Sequence, residues 1–362
     1  MNILFLSKSG GYAGSTYSIL YLAKGLKTRG HTVFVCCPKD TILYKELDNS
    51  DVTVIPMTLS GKSLNLLTMW KIARIVKNNK IEIINAQTSP DRYLSVFTRW
   101  IFRLKAKVVH TRRQTPLSHG NLLQNFIYTR GTDKIVAVSE GVKQELAELG
   151  IPENHLTVIH NGTPGDKYHN IKPELVDRLM NQYAIKSGDI VIGCVSRAKK
   201  QDQLFRALDK LNPKIKLLIV GRTKEQLEKR FGPINTKHQI IFTGILDLTT
   251  TLHCYPLFNV KVLPSTTEGL SQSLLEAMAM GIPVVATRAA GNIDLIQDGV
   301  NGLMFEDGNT DELASKVSLV LSDEDLRKKL IKNGKKTALE EYSIEKTIDR
   351  YELFFKELIT GE

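Results

Sequence analysis

The sequence predicts an α/β chain of two tandem doubly wound, Rossmann-like domains, on three observations. Short apolar runs rich in β-branched residues alternate with segments of helical period, the pattern of βαβ units and parallel sheets. That pattern runs through once, then restarts after the turn cluster Asn161-Gly162-Thr163-Pro164-Gly165. The 362 residues also suit two domains of roughly 100–200 residues each. The expected divisions are 1–165, 166–342 and a final helix over 343–362.

In the first half, 2–7 reads as a buried strand, followed by Gly10, Gly11 and Gly14. A helical pattern then places Ile19, Leu20, Leu22, Ala23 and Leu26 on one side. Gly30 suits the position just past that helix, where a left-handed residue ends the last turn. Strands are expected over 32–37, 52–55, 81–85, 108–111, 134–138 and 157–160. Ser139 has the chemistry of an N-cap for a helix over 140–149. Residues 166–188 are polar and mixed and lead into the second series. There, strands are expected over 190–196, 216–220, 239–243, 260–264, 283–287 and 302–305, each followed by a helical pattern. Residues 343–359 form an amphipathic helix beyond the point where the second domain should be complete, so a brace is its expected role.

Composition narrows the function classes. Hydrophobic residues make up 42% and charged residues 24%, which excludes a disordered, collagenous or coiled-coil chain. No apolar run approaches the ~20 residues of a membrane-spanning helix. The opening residues lack the basic stretch and long apolar run of a signal peptide. The four cysteines (Cys36, Cys37, Cys194, Cys254) form no C-x-x-C pair and have no histidine at zinc spacing. A reduced cytoplasm is therefore the expected location, with attachment at the inner face of the membrane as an addition to it. The net charge of +11 is uneven, with +10 in residues 1–162 and +1 in the remainder. Such asymmetry points to a polyanionic partner, against the bland alternative of plain solubility.

The stretch from Pro264 to Thr287 carries the chemistry. A strand ends at Pro264, a polar loop crosses 265–269, and a helix starts near Ser271 and stops at Gly281. Glu268 precedes the helix N-terminus and Glu276 lies eight positions later. Free N–H groups and the positive end of the helix dipole suit a phosphate there. Glu276 could accept hydrogen bonds from vicinal hydroxyls, as on a ribose. The bland alternatives are a carboxylate that steadies the helix dipole and a solvated or salt-bridged helix residue. Spacing alone favours those.

This stretch, with its E-x7-E spacing, resembles the donor-site signature of the retaining family 4 glycosyltransferases, nucleotide-sugar enzymes of the two-domain GT-B fold. The resemblance continues in order along the chain. Gly14 with Leu22-Ala23, Leu26 and Gly30-His31-Thr32-Val33 resembles the family's glycine-rich entry. Ile135 to Gly141 and Val158 to Gly162 are similar to its segments before the linker. Ile192 to Arg197, Leu218 to Gly221, Phe242 to Gly244 and Asp298 to Leu303 fall in its order in the second half. The final helix resembles one that crosses back onto the first domain, with the two domains facing a central crevice.

The resemblance implies residue roles. Glu276 would hold the donor ribose, and Glu268 with the Gly269-Leu270 backbone would contact the transferred sugar. Arg197 would bind the diphosphate together with Lys200, chosen because Gln201-Asp202 follow it, with Lys199 as the alternative. Ser271 completes this set where the helix starts. Gly244, Ile245 and Leu246 would line the base, and Gly14 and Ser15 would lie near the phosphates and the acceptor. Arg197, Lys200 and Glu268 are the implied catalytic residues. They need no metal, since positioned cations can stabilise the charge on the departing phosphate. The implied activity is a hexosyl-type transfer from a UDP- or GDP-linked sugar to an anionic or lipid-linked glycan of the cell envelope. Two same-fold alternatives remain: a nucleotide-sugar 2-epimerase and a catalytically silent nucleotide-sugar binder. A dehydrogenase fits poorly, because Gly10 to Gly14 make no G-x-G-x-x-G.

Departures from the family pattern mark the acceptor side. Two positions that often carry histidine are Gln87 and Arg113 here. Arg113, with Arg112, would favour a phosphate or carboxylate on the acceptor. His110, within a strand, reads as a satisfied core histidine. Residues 92–113 hold seven Lys or Arg and no acid, with Phe97, Trp100, Ile101 and Phe102 interleaved. They read equally as an anionic-membrane surface or as a helix packed on its own sheet with solvated charges. Nucleic acid is not an expected partner, because no recognised binding module is present.

Overall fold

The computed structural model describes residues 1–11, 13–59, 65–114 and 122–361. The chain divides into two units, Met1–Gly162 with Ile344–Glu362, and Thr163–Ser343. The first unit runs β1 (Asn2–Leu6), α1 (Gly14–Thr28), β2 (Thr32–Cys37), α2 (Ile42–Asp48), β3 (Thr53–Pro56), α3 (Leu66–Asn78) and β4 (Ile83–Ala86). It continues with α4 (Ser89–Phe102), β5 (Lys107–Arg112), α5 (Leu122–Gly131), β6 (Lys134–Ala137), α6 (Glu140–Glu148) and β7 (Leu156–Val158). The second unit holds α7 (Pro173–Gln182), β8 (Val191–Val195), α8 (Gln201–Leu208), β9 (Lys216–Val220), α9 (Lys224–Phe231), β10 (Ile240–Phe242) and α10 (Leu248–Cys254). After these come β11 (Val260–Leu263), α11 (Gln272–Ala279), β12 (Val284–Thr287), α12 (Ala290–Leu295), β13 (Leu303–Phe305), α13 (Thr310–Ser322) and α14 (Glu324–Lys336). The last helix, α15 (Ile344–Thr360), belongs to the first unit.

Each unit is built on one parallel sheet, as the alternating pattern predicts. The orders are β3-β2-β1-β4-β5-β6-β7 and β10-β9-β8-β11-β12-β13. Ile3, Leu4, Phe5 and Leu6 have no exposed surface, as expected of a strand covered on both faces. Every segment expected to be a strand is one, with ends displaced by a residue or two. The local end signals also hold. Gly30 has φ +85°, and Ser139 Oγ accepts from Val142 N at 3.2 Å. The helix α7 was not foreseen, because its polar sequence, PELVDRLMNQ, buries little beyond Leu179.

In both sheets chain order reverses beside the first strand, so β1 lies between β2 and β4, and β8 between β9 and β11. The loops leaving the strands at such switch points are where doubly wound sheets bind ligands.

The helix α15 packs on α1. A Cβ on Gly25 would lie 2.1 Å from Ile348 Cδ1, so a glycine is what lets these helices approach. Arg29 pairs with Asp349 at 2.6 Å, and buried Tyr351 Oη lies 3.2 Å from Thr111 Oγ1. Among the described residues, no helix is long and apolar enough to cross a membrane.

Candidate functional site

In the second unit, the loops after β8 and β11 meet at the switch point. Lys199 Nζ donates to Glu268 Oε1 at 2.9 Å and to Thr267 O at 2.6 Å. Gln203 Nε2 donates to Pro264 O at 2.8 Å, tying α8 to the second loop. Of the two lysines weighed for the diphosphate, it is the alternative, Lys199, that lies beside Glu268. Lys200 takes the left-handed conformation, φ +59°, at the entry to α8. Its side chain is half-exposed and pairs with Asp307. Arg197 is exposed, and its guanidinium has no hydrogen bond or ion pair among the described residues.

Packing sets the shape of the β11 loop. Gly291 N donates to Glu268 O at 3.3 Å. A Cβ on Gly291 would lie 1.4 Å from Gly269 O, so only glycine allows α12 to rest against the 268–270 backbone. Gly269 and Leu270 are buried. Ser271 caps α11, its Oγ accepting from Leu274 N at 3.4 Å.

Glu276 is on α11 and is buried. Lys167 Nζ lies 2.6 Å from its Oε1, and Tyr255 Oη donates to its Oε2 at 2.7 Å. Burial, then the Glu276 charge, push the Tyr255 phenol well above its ordinary range, so it stays a donor. Glu276 is thus salt-bridged but not solvated, half of the bland alternative. On β11, Lys261 is fully buried and its ammonium has no hydrogen-bond partner among the described residues. Burial pulls its pKa down to about 8, against the raising influence of Cys194, Glu268 and Glu276. After β10, Gly244 takes φ +68° and its O accepts from Gly221 N at 2.9 Å. Ile245 is 61% exposed and Leu246 half-buried beside it.

In the first unit, Gly14 opens α1 and is exposed, with Ser15 half-buried behind it. At the end of β5, Arg113 donates Nε and Nη2 to Gln87 Oε1 at 3.0 and 2.8 Å. Its Nη1 donates to Asn161 Oδ1 at 2.8 Å. The partners are neutral amides, and among the described residues no carboxylate pairs with it. Alternation sends Arg112 to the other face, where Nη1 donates to Ser89 Oγ at 2.9 Å. His110 shares that face and is buried, but it is not the satisfied core histidine expected, since neither ring nitrogen has a hydrogen-bond partner among the described residues. Burial, reinforced by Arg92 and Arg112, drives its pKa well below the usual value, so the ring is neutral. Arg92, expected in a basic surface stretch, is itself buried, its Cζ 3.6 Å above the Tyr128 ring.

Comparison with known proteins decides the family. A model described as "Glycosyltransferase Family 4" matches residues 12–166, and one described as "Glycosyl transferases group 1" matches 176–337. Between them they take in the chain from 12 to 337 except 167–175. The chain belongs to the family 4 glycosyltransferases.

This glycosyltransferase is 27% identical over 365 residues to the N,N'-diacetylbacillosaminyl-diphospho-undecaprenol alpha-1,3-N-acetylgalactosaminyltransferase of Campylobacter jejuni, covering 94% of each chain. It is 29% identical over 227 residues to an uncharacterized glycosyltransferase of Methanocaldococcus jannaschii, covering 60% of this chain and 58% of that protein. Among solved structures, Anabaena HepE, crystallised with UDP and glucose, superimposes with a TM-score of 0.83 at 22% identity, covering 99% of this chain and 100% of that one. That likeness concerns the fold, which is GT-B. Sequence reasoning missed Lys167, Tyr255, Lys261 and Gly291 of the glycosyltransferase as neighbours of this site.

Proposed function

We propose that the second unit of the enzyme binds a nucleoside-diphosphate sugar, UDP- or GDP-linked, and that the sugar passes with retention to a glycan or lipid-linked acceptor of the cell envelope. The observation that carries this is the meeting of Glu268, Lys199 and the start of α11 at the β8–β11 switch point, with Glu276 held on the same helix. The relatives support it: one is named for a diphospho-undecaprenol substrate, and one fold neighbour was crystallised with UDP and glucose.

In this reading Glu276 accepts from the ribose hydroxyls, and the Glu268 loop contacts the sugar. Arg197 and Lys199, with the first N–H groups of α11, stabilise the charge that grows on the diphosphate as the anomeric C–O bond breaks. The acceptor oxygen bonds to the anomeric carbon from the same face, and its proton passes to the departing phosphate oxygen. No metal takes part. Gly244, Ile245 and Leu246 serve the base, and Gly14 and Ser15 the phosphates. Arg113, fixed by Gln87 and Asn161 without a counter-charge, serves an anionic group on the acceptor.

The test is binding and slow hydrolysis of UDP-, GDP- and ADP-sugars. At least one should bind, and Glu276→Ala should weaken it by about 10–100-fold, as expected for hydrogen bonds to a charged group. If none binds, or if Glu276→Ala binds as the parent does, the donor site is misplaced.

Docking of the first unit on an anionic bilayer is a second part of the proposal. The start of α3 exposes Leu66, Leu67 and Trp70, at 64%, 62% and 48%, among exposed Lys71, Arg74 and Lys77. On α4, Trp100 and Ile101 are exposed next to Arg103. Cations around exposed aromatic and aliphatic groups complement an anionic lipid surface.

A further inference from the structure

Lys167 lies in the nine residues, 167–175, that neither family model takes in. Nevertheless its ammonium occupies the carboxylate assigned to the donor ribose. Lys167 Nζ is 2.6 Å from Glu276 Oε1, with the two side chains only 5% and 10% exposed. Tyr255 Oη donates to the other oxygen at 2.7 Å. A carboxylate offers about four acceptor sites, two on each oxygen. One donor on each leaves one acceptor site on each oxygen, the number that a pair of adjacent hydroxyls needs.

The segment that carries Lys167 is anchored. Thr163 N donates to Tyr342 O at 2.9 Å, and Thr163 Oγ1 lies 2.6 Å from Tyr168 Oη. Residues Asp166–Tyr168 form one 3-10 turn, with Tyr168 N donating to Gly165 O at 3.2 Å. The Tyr168 ring lies 5.6 Å from Lys167 Nζ. A long, flexible side chain is therefore delivered to one place from a fixed base. Burying such a pair costs desolvation that its attraction often only matches, so stability is a weak reason for it. Fixing the direction of a recognition carboxylate is a stronger one.

We infer that Lys167 is a positioning residue for the donor ribose, turning the Glu276 carboxylate so that its two remaining acceptor sites meet the 2′ and 3′ hydroxyls. This rests on the donor-site reading above. The consequence is discrimination: a ribonucleotide makes both hydrogen bonds and a 2′-deoxyribonucleotide only one.

The experiment compares UDP-glucose with its 2′-deoxyuridine analogue on the full-length enzyme by calorimetry, with GDP-glucose and ADP-glucose and their deoxy analogues as further probes. The parent should prefer the ribonucleotide by about tenfold, the worth of one charge-assisted hydrogen bond. Lys167→Met should weaken ribonucleotide binding by about tenfold while changing the deoxy analogue less than about threefold, so that the preference collapses. Lys167→Arg should restore most of it. Lys167→Gln, milder toward folding, should move in the direction of Lys167→Met. Equal weakening of both nucleotides marks a merely structural lysine and overturns the inference. Tighter binding by Lys167→Met also overturns it, because Lys167 would then be a plug. Glu276→Gln separates the two levels. If it retains the ribose preference, or if no probe binds, the donor-site reading fails. If it loses the preference while Lys167→Met keeps it, only the role of Lys167 fails.

Discussion

Lys261 shows how one buried residue sets a cost inside a sheet. Its ammonium is buried on β11 without a hydrogen bond among the described residues, and burial lowers its pKa from 10.5 to about 8. A lysine with a depressed folded pKa gives up its proton sooner in the folded state than in the unfolded chain. Between about pH 8 and about pH 10.5 the unfolded state therefore holds more protons, and the stability contributed by this group rises with pH. Below about pH 8 the full penalty stands. Lys261→Met removes the charge at similar volume, and should stabilise the second unit by roughly 1–3 kcal/mol near neutral pH. The gain should shrink near about pH 9.5. Urea unfolding of parent and variant at the two pH values checks this, and a gap that does not narrow counts against it. At the same scale, the choice between Lys199 and Lys200 was beyond the sequence. Two adjacent lysines are chemically identical, and a single left-handed φ at Lys200 turns it toward Asp307 and leaves Lys199 beside Glu268.

Elements were the most legible level. Strands buried on both faces must be continuous apolar runs, so their positions follow from solvent exclusion. Caps act within four residues, which is why Ser139 and Gly30 are assigned from the sequence alone. Contacts between distant elements were not legible. Gly291 is the clearest case, because nothing near it in sequence announces the Gly269 carbonyl 1.4 Å from where its Cβ would be. Gly291→Ala must push α12 and the 268–270 loop apart, at more than about 2 kcal/mol by analogy with overpacked cores. Urea unfolding together with UDP-glucose binding measures both consequences. Parent-like stability would mean that the loop yields freely and does not need this glycine.

For the whole molecule, the charge asymmetry was visible by counting, but its address was not. Residues 92–113 drew attention as a basic, aromatic stretch, yet Arg92 is buried on Tyr128 and Arg99 pairs with Asp133. The more exposed apolar group is Leu66, Leu67 and Trp70 on α3, which the sequence reading passed over. Docking there should bring the enzyme down with vesicles rich in anionic lipid at low salt, and less so at high salt, where screening shortens the reach of its lysines and arginines. Leu67→Ala with Trp70→Ala should abolish most of that recovery. Equal recovery on neutral vesicles, or an unchanged double variant, would remove the electrostatic surface from the proposal.

By itself the sequence determined the two parallel sheets, their strands, the local caps and the family resemblance. These depend on periodicity and on interactions that reach only a few residues along the chain. Tertiary structure alone decided which groups meet: Lys167 and Tyr255 on Glu276, Lys199 rather than Lys200 on Glu268, and Gly291 against Gly269; it also decided the burial of Lys261. Those pairs are 109, 21, 69 and 22 residues apart where pairs exist. Contact at such separation is fixed by how the layers pack, and no local pattern records it.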